Sequence, residues 1–110
     1  MSNGQVIHIG STQAFDTLLS RAGSVPVFID FSAEWCGPCK VIGPVYEKIA
    51  KEYPKSIFLK VDVDAQKELA ERYSIRAMPT FIALKDKTQA GMVRGADEKA
   101  LSTCIREHAT

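Results

Sequence analysis

Residues 25–32 read Val-Pro-Val-Phe-Ile-Asp-Phe-Ser, an almost unbroken apolar run that contains a single carboxylate, Asp30. Strict alternation would mark a strand with one wet face. A short continuous run marks a strand covered on both faces, as in the middle of a parallel sheet. Such a strand obliges the rest of the chain to supply helices above and below it.

The flanking patterns supply them in order. Residues 5–9 alternate weakly and predict a short first strand. Ser11 and Thr12 offer an N-cap before Ala14, Phe15, Leu18 and Leu19 at helical spacing, and Gly23 ends that helix. Residues 37–53 carry Val41, Ile42, Val45, Tyr46, Ile49 and Ala50 at helical spacing. Pro44 lies among them, and its missing N–H predicts a kink. Residues 56–62 predict a strand, 65–73 a short helix with Leu69 and Ala70 inward, 75–79 a loop and 80–85 a strand. A polar turn at 86–88 leads to a weak strand near 89–93. Gly95 breaks it, and Asp97 caps a last helix that buries Leu101 and Ile105.

The order is βαβαβα followed by ββα. Parallel strands with right-handed crossovers come first, and an antiparallel hairpin closes the sheet. The expected architecture is a three-layer α/β/α sandwich, as one domain over residues 1–110.

Charge narrows the function classes. The net charge is +1, from 14 basic and 13 acidic residues, and no long charge run occurs. Neither a nucleic-acid face nor a polybasic membrane patch is expected. No apolar run approaches the ~18 residues of a membrane span. Met1-Ser2-Asn3-Gly4-Gln5 shows no charged or apolar leader, so a cytoplasmic location is expected, where structural disulfides are rare.

The chemistry concentrates just after the apolar run, in Trp35-Cys36-Gly37-Pro38-Cys39-Lys40. Two cysteines in C-x-x-C spacing at a strand-to-helix junction point to a dithiol that opens and closes. Cys36 falls at a helix N-terminus, where unpaired N–H groups and the helix dipole favour thiolate over thiol. Cys39 falls one turn inside and is expected to be the more buried. Gly37-Pro38 stiffens the turn between them without losing a helical hydrogen bond. The competing reading is half a zinc site, but Cys104, His8 and His108 make no second close pair. The two histidines read as surface residues away from the motif, and Cys104 as small apolar filler or a regulatory thiol.

Three further positions stand out. Asp30 is either a buried carboxyl whose pKa is raised by desolvation, fit to exchange protons with the second cysteine, or an exposed strand-edge residue. Lys60 either approaches Asp30 from the neighbouring strand or is solvated. Met78-Pro79 is either a cis peptide, leaving the Met78 backbone open to an extended peptide, or an ordinary trans proline at a strand start.

Taken together, these motifs resemble the thioredoxin family over essentially the whole chain. The specific stretch is Asp30-Phe31-Ser32-Ala33-Glu34-Trp35-Cys36-Gly37-Pro38-Cys39-Lys40, supported by Pro44, Lys60-Val61-Asp62-Val63-Asp64, Met78-Pro79-Thr80 and Gly95. The resemblance implies a five-stranded mixed sheet with four flanking helices and a cis Pro79. It implies a monomeric protein-disulfide reductase that needs no cofactor or metal of its own and is re-reduced by thioredoxin reductase with NADPH. Implied substrates are disulfide-containing proteins such as peroxiredoxins, methionine sulfoxide reductase and ribonucleotide reductase. The implied roles are Cys36 as nucleophile, Cys39 as resolving thiol, Asp30 as proton relay and Lys60 as its modulator. Trp35, Met78, Pro79, Arg94 and Gly95 would border the substrate.

Three residues depart from the family pattern. Ser32 stands at an often aromatic position, Lys87 at a frequent turn glycine, and Arg94 at a usually apolar position before Gly95.

Overall fold

A computed structural model describes residues 3–110, so Met1 and Ser2, on which part of the expectation about a leader rests, lie outside the described residues. The elements are β1 (Val6–His8), α1 (Thr12–Ala22), β2 (Val27–Ser32), α2 (Gly37–Glu52), β3 (Ile57–Asp62), α3 (Lys67–Arg72), β4 (Thr80–Lys85), β5 (Thr88–Arg94) and α4 (Glu98–His108). One sheet runs β1-β3-β2-β4-β5. β1, β3 and β2 are parallel, and β4 and β5 add antiparallel. The expected five-stranded mixed sheet with four helices is therefore what forms.

The apolar run owes its composition to its place. β2 lies between β3 and β4, and all six of its residues are buried. Successive side chains alternate faces, so the strand feeds two cores. Ile29 and Phe31 join Phe15, Leu59, Val61 and Leu69 on one face. Phe28 joins Ile42, Tyr46, Phe58, Phe81, Leu101 and Ile105 on the other. On that second face the rings of Phe28 and Phe58 stack at 5.0 Å, and Tyr46 packs on Phe58 and Phe81. The Tyr46 hydroxyl donates to the Leu59 carbonyl at 2.9 Å and ties α2 to β3.

Helix starts follow capping chemistry. Ser11 Oγ accepts from the Ala14 N–H and Asp97 Oδ1 from the Ala100 N–H, each at 3.0 Å. α3 begins two residues later than expected. The Asp62 carboxylate accepts from the N–H groups of Asp64 and Ala65 and holds them in a turn. Within α3, Leu69 is fully buried while Ala70 is only half-buried.

α2 continues through Pro44 as one helix, but Val41 does not join its buried stripe and is 74% exposed. At 3.6 residues per turn Val41 lies about 100° from Ile42 around the axis, beyond the apolar sector centred on Ile42, Tyr46 and Ile49.

The β4–β5 hairpin turns through Asp86 and Lys87, both with positive φ (51° and 67°). A hairpin turn of this hand favours glycine, because a Cβ in the left-handed region costs about 1 kcal/mol. Lys87→Gly should therefore raise stability by about 0.5–1 kcal/mol in urea denaturation. An unchanged or lower midpoint would show that the lysine is not strained there.

Candidate active site

β2 ends at Ser32 and α2 begins at Gly37, so the strand delivers Cys36 to the helix N-terminus as its cap. Cys36 Sγ accepts from the Cys39 N–H at 3.2 Å. That bond places a peptide dipole and the positive end of α2 on the sulfur, and both stabilise a thiolate when the pair is reduced. Cys36 and Cys39 are joined as a disulfide with their Cα atoms 5.3 Å apart. Each is 5% exposed, so the expected difference in burial between them is absent.

The loop before β4 closes one side. The Met78–Pro79 peptide is cis. Cys36 Sγ lies 3.7 Å from the Met78 carbonyl oxygen. The Pro79 carbonyl accepts from the Gly95 N–H at 2.8 Å, and Gly95 has φ +87°, a conformation that suits glycine. Arg94, opposite Thr80 in the β4–β5 ladder, is exposed just before it. Trp35 is 67% exposed, with its indole N–H donating to Asp64 Oδ2 at 2.8 Å. Of the residues singled out in the sequence, Met78 meets the Cys36 sulfur, Trp35 precedes Cys36 in the chain, and Gly95, next to Arg94, is tied through Pro79 to the same loop.

Asp30 is 1% exposed, and its Oδ1 has no hydrogen-bond partner among the described residues. Desolvation pushes its carboxyl up to about 7; Lys60 draws it partly back and Glu47 adds to the rise. Lys60 stands directly opposite Asp30 in the β2–β3 register and is half-buried. Tyr46 faces the same carboxyl. Its phenol is pushed well up, first by burial and then by the Asp30 charge.

Three groups were missed or misplaced by sequence reasoning. Asp64 holds Trp35, although the sequence marks it only as part of a strand exit. His8 is exposed, yet it lines a cleft of about 450 Å³ together with Ser32, Cys39, Lys40 and Lys60, so it is not away from the motif. His108 is half-buried rather than on the surface, with Nδ1 2.8 Å from the Cys104 carbonyl oxygen. The Cys104 thiol beside it is pushed up by burial. A Cβ at Gly91 of β5 would come to 3.0 Å from the His108 ring and 3.2 Å from the Cys104 sulfur, so a side chain there would have to push one of them aside. Among the described residues, no three His, Cys, Asp or Glu side chains group as a metal site.

The family model for thioredoxin matches residues 6–107. The chain belongs to the thioredoxin family. A thioredoxin H-type protein from Oryza sativa is 46% identical over 108 residues, covering 96% of this chain and 88% of that protein. A peptide-N(4)-(N-acetyl-beta-glucosaminyl)asparagine amidase from Caenorhabditis elegans is 43% identical over 104 residues. That match takes in 94% of this chain but only 17% of the amidase. The crystal structure of thioredoxin NaTrxh from Nicotiana alata superposes with a TM-score of 0.92 at 31% identity, covering 96% of this chain and 94% of that one.

As a thioredoxin, the chain is a protein-disulfide oxidoreductase, and Cys36–Cys39 is its redox-active pair. No helix among the described residues is long and apolar enough to cross a membrane.

Proposed function

We propose that this thioredoxin reduces disulfides of other proteins in the cytoplasm and is itself re-reduced by a thioredoxin reductase drawing on NADPH. The observation that carries the reading is the setting of Cys36. It caps α2, its sulfur faces the Met78 carbonyl, and a buried carboxyl with a raised pKa sits in the strand behind it.

In the reduced protein, the Cys36 thiolate attacks one sulfur of the substrate disulfide. A mixed disulfide forms, and the other substrate sulfur leaves as a thiolate. Cys39 then gives its proton to the Asp30 carboxylate and attacks Cys36 Sγ. The Cys36–substrate bond breaks, and its electron pair departs on the substrate sulfur that Cys36 had attacked. Two electrons reach the substrate, and the Cys36–Cys39 disulfide remains for the reductase.

The other residues support these steps. Gly37 and Pro38 fix the ring between the sulfurs. Lys60 moderates the Asp30 pKa. Trp35, Met78, Pro79, Arg94 and Gly95 border the substrate strand, with the Met78 backbone pairing to it. Peroxiredoxins, methionine sulfoxide reductase and ribonucleotide reductase are the candidate substrates, met by a monomer with no bound cofactor.

The test is NADPH oxidation by a thioredoxin reductase with insulin as the terminal disulfide. Adding this protein should raise the rate in proportion to its concentration. No increase with reductases of several types, while dithiothreitol-driven insulin reduction proceeds, would overturn the recycling route and leave the dithiol chemistry in place.

A further inference from the structure

The sheet register aligns three titratable side chains. His8 of β1 lies opposite Lys60 of β3, and Lys60 lies opposite Asp30 of β2. Residues opposite one another in a parallel ladder project from the same face. The row therefore lies on one side of the sheet and spans two strand spacings, about 9–10 Å from His8 to Asp30. Its inner end is the buried carboxyl with an unpartnered oxygen. Its outer end is an exposed imidazole.

The row does not stop at packed side chains. The cleft of about 450 Å³ joins His8 and Lys60 to Cys39, and its walls also carry Ile9, Ser32, Ala33, Glu34, Lys40 and Asp62. A carboxyl as deeply buried as Asp30 has no direct route for returning a proton to bulk water. Asp30 does not itself line the cleft, but Lys60, opposite it in the register, does, together with Cys39. Imidazole is the side chain best suited to exchange protons near neutral pH, because it both accepts and donates there.

We propose that His8 is the solvent-side proton-exchange group of this cleft, a positioning residue that sets how fast the proton released by Cys39 leaves the site. This rests on the proposed roles of Cys39 and Asp30. The Cys39 thiol proton passes to the Asp30 carboxylate, and from there through the cleft to the neutral His8 ring. The His8 imidazolium then releases it to solvent or buffer. No electrons move in these steps, and each base is restored.

The charged groups that line the cleft with His8 are Lys60, Lys40, Asp62 and Glu34. At the inner end Glu47 and Tyr46, from α2, face Asp30.

The experiment is stopped-flow oxidation of the reduced protein by insulin, at concentrations where the rate no longer depends on insulin, followed by Trp35 fluorescence. Rates are taken from pH 5 to 9 in dilute buffer for the parent, His8→Gln, His8→Asn and Asp30→Asn. Each variant is first shown to melt cooperatively. Both His8 variants should be slower by about threefold or more near pH 7, a modest share of what general acid–base groups supply. They should lose one inflection of the pH profile, and added imidazole should restore the rate. A parent-like profile with no response to imidazole in both His8 variants overturns the proposal. Asp30→Asn reports separately. If it changes the profile while the His8 variants do not, the Asp30 relay stands and only the role of His8 falls. If it too leaves the profile unchanged, the relay itself fails.

Discussion

Replacing Cys36 with serine is expected to abolish disulfide reduction, by at least ~10³-fold in dithiothreitol-driven insulin precipitation, with the fold intact. The loss follows from proton affinity. Stabilisation by the α2 N-terminus and the Cys39 N–H brings a thiol within reach of ionisation at neutral pH, but an alcohol is far too basic for the same help to expose an alkoxide.

Cys39→Ser separates the two roles. Cys36 can still attack, but nothing expels the substrate, so a mixed disulfide with a target protein should accumulate. It would appear on a non-reducing gel and vanish with dithiothreitol. If Cys36→Ser trapped the target and Cys39→Ser did not, the assignment of nucleophile and resolving thiol would be reversed. Retained turnover in Cys36→Ser would remove the dithiol mechanism altogether.

What could be read in advance divides along a physical line. β2 was legible because burial on both faces leaves a continuous apolar run, and α2 because its stripe repeats at helical spacing. Cys36 was legible because C-x-x-C at a strand end is a local pattern. The exposure of Val41 is hidden, because an apolar residue about 100° off the stripe looks the same in one dimension as a residue on it. The nearness of His8 to the motif is hidden because it depends on which strand pairs with β1, and in what register. That is decided by packing across some fifty residues of chain, between His8 and Lys60. The bond from Trp35 to Asp64 has the same origin, since it joins the exits of β2 and β3, which become neighbours only when the crossover closes. Lys87 stands at a frequent glycine of the family pattern, but its cost comes from the positive φ of the turn, which no sequence pattern displays.

Asp30→Ala is expected to stabilise the oxidised protein at pH 8 while slowing its turnover. The folded-state carboxyl is raised from 3.8 to about 7, chiefly by burial. Below pH ~3.8 it is neutral in both folded and unfolded chains and does not oppose folding. Between there and about 7 the unfolded chain ionises while the folded chain keeps its proton, so stability falls as pH rises. Above about 7 both are ionised and the loss is complete. A shift of about three units corresponds to roughly 4 kcal/mol at ~1.4 kcal/mol per unit. Removing the carboxyl costs back about 1 kcal/mol in lost packing.

The variant should therefore match or fall slightly below the parent at pH 4 and exceed it by roughly 2–3 kcal/mol at pH 8. Urea denaturation of the two oxidised proteins at pH 4, 6 and 8 measures this difference directly. A difference that stays constant across that range, or a variant less stable at pH 8, would mean that Asp30 ionises in the folded protein at little cost. Turnover should fall about tenfold in the same variant, because Cys39 loses its proton acceptor. Stability and activity then move in opposite directions, as they must if the buried carboxyl is retained for proton transfer at the expense of the fold.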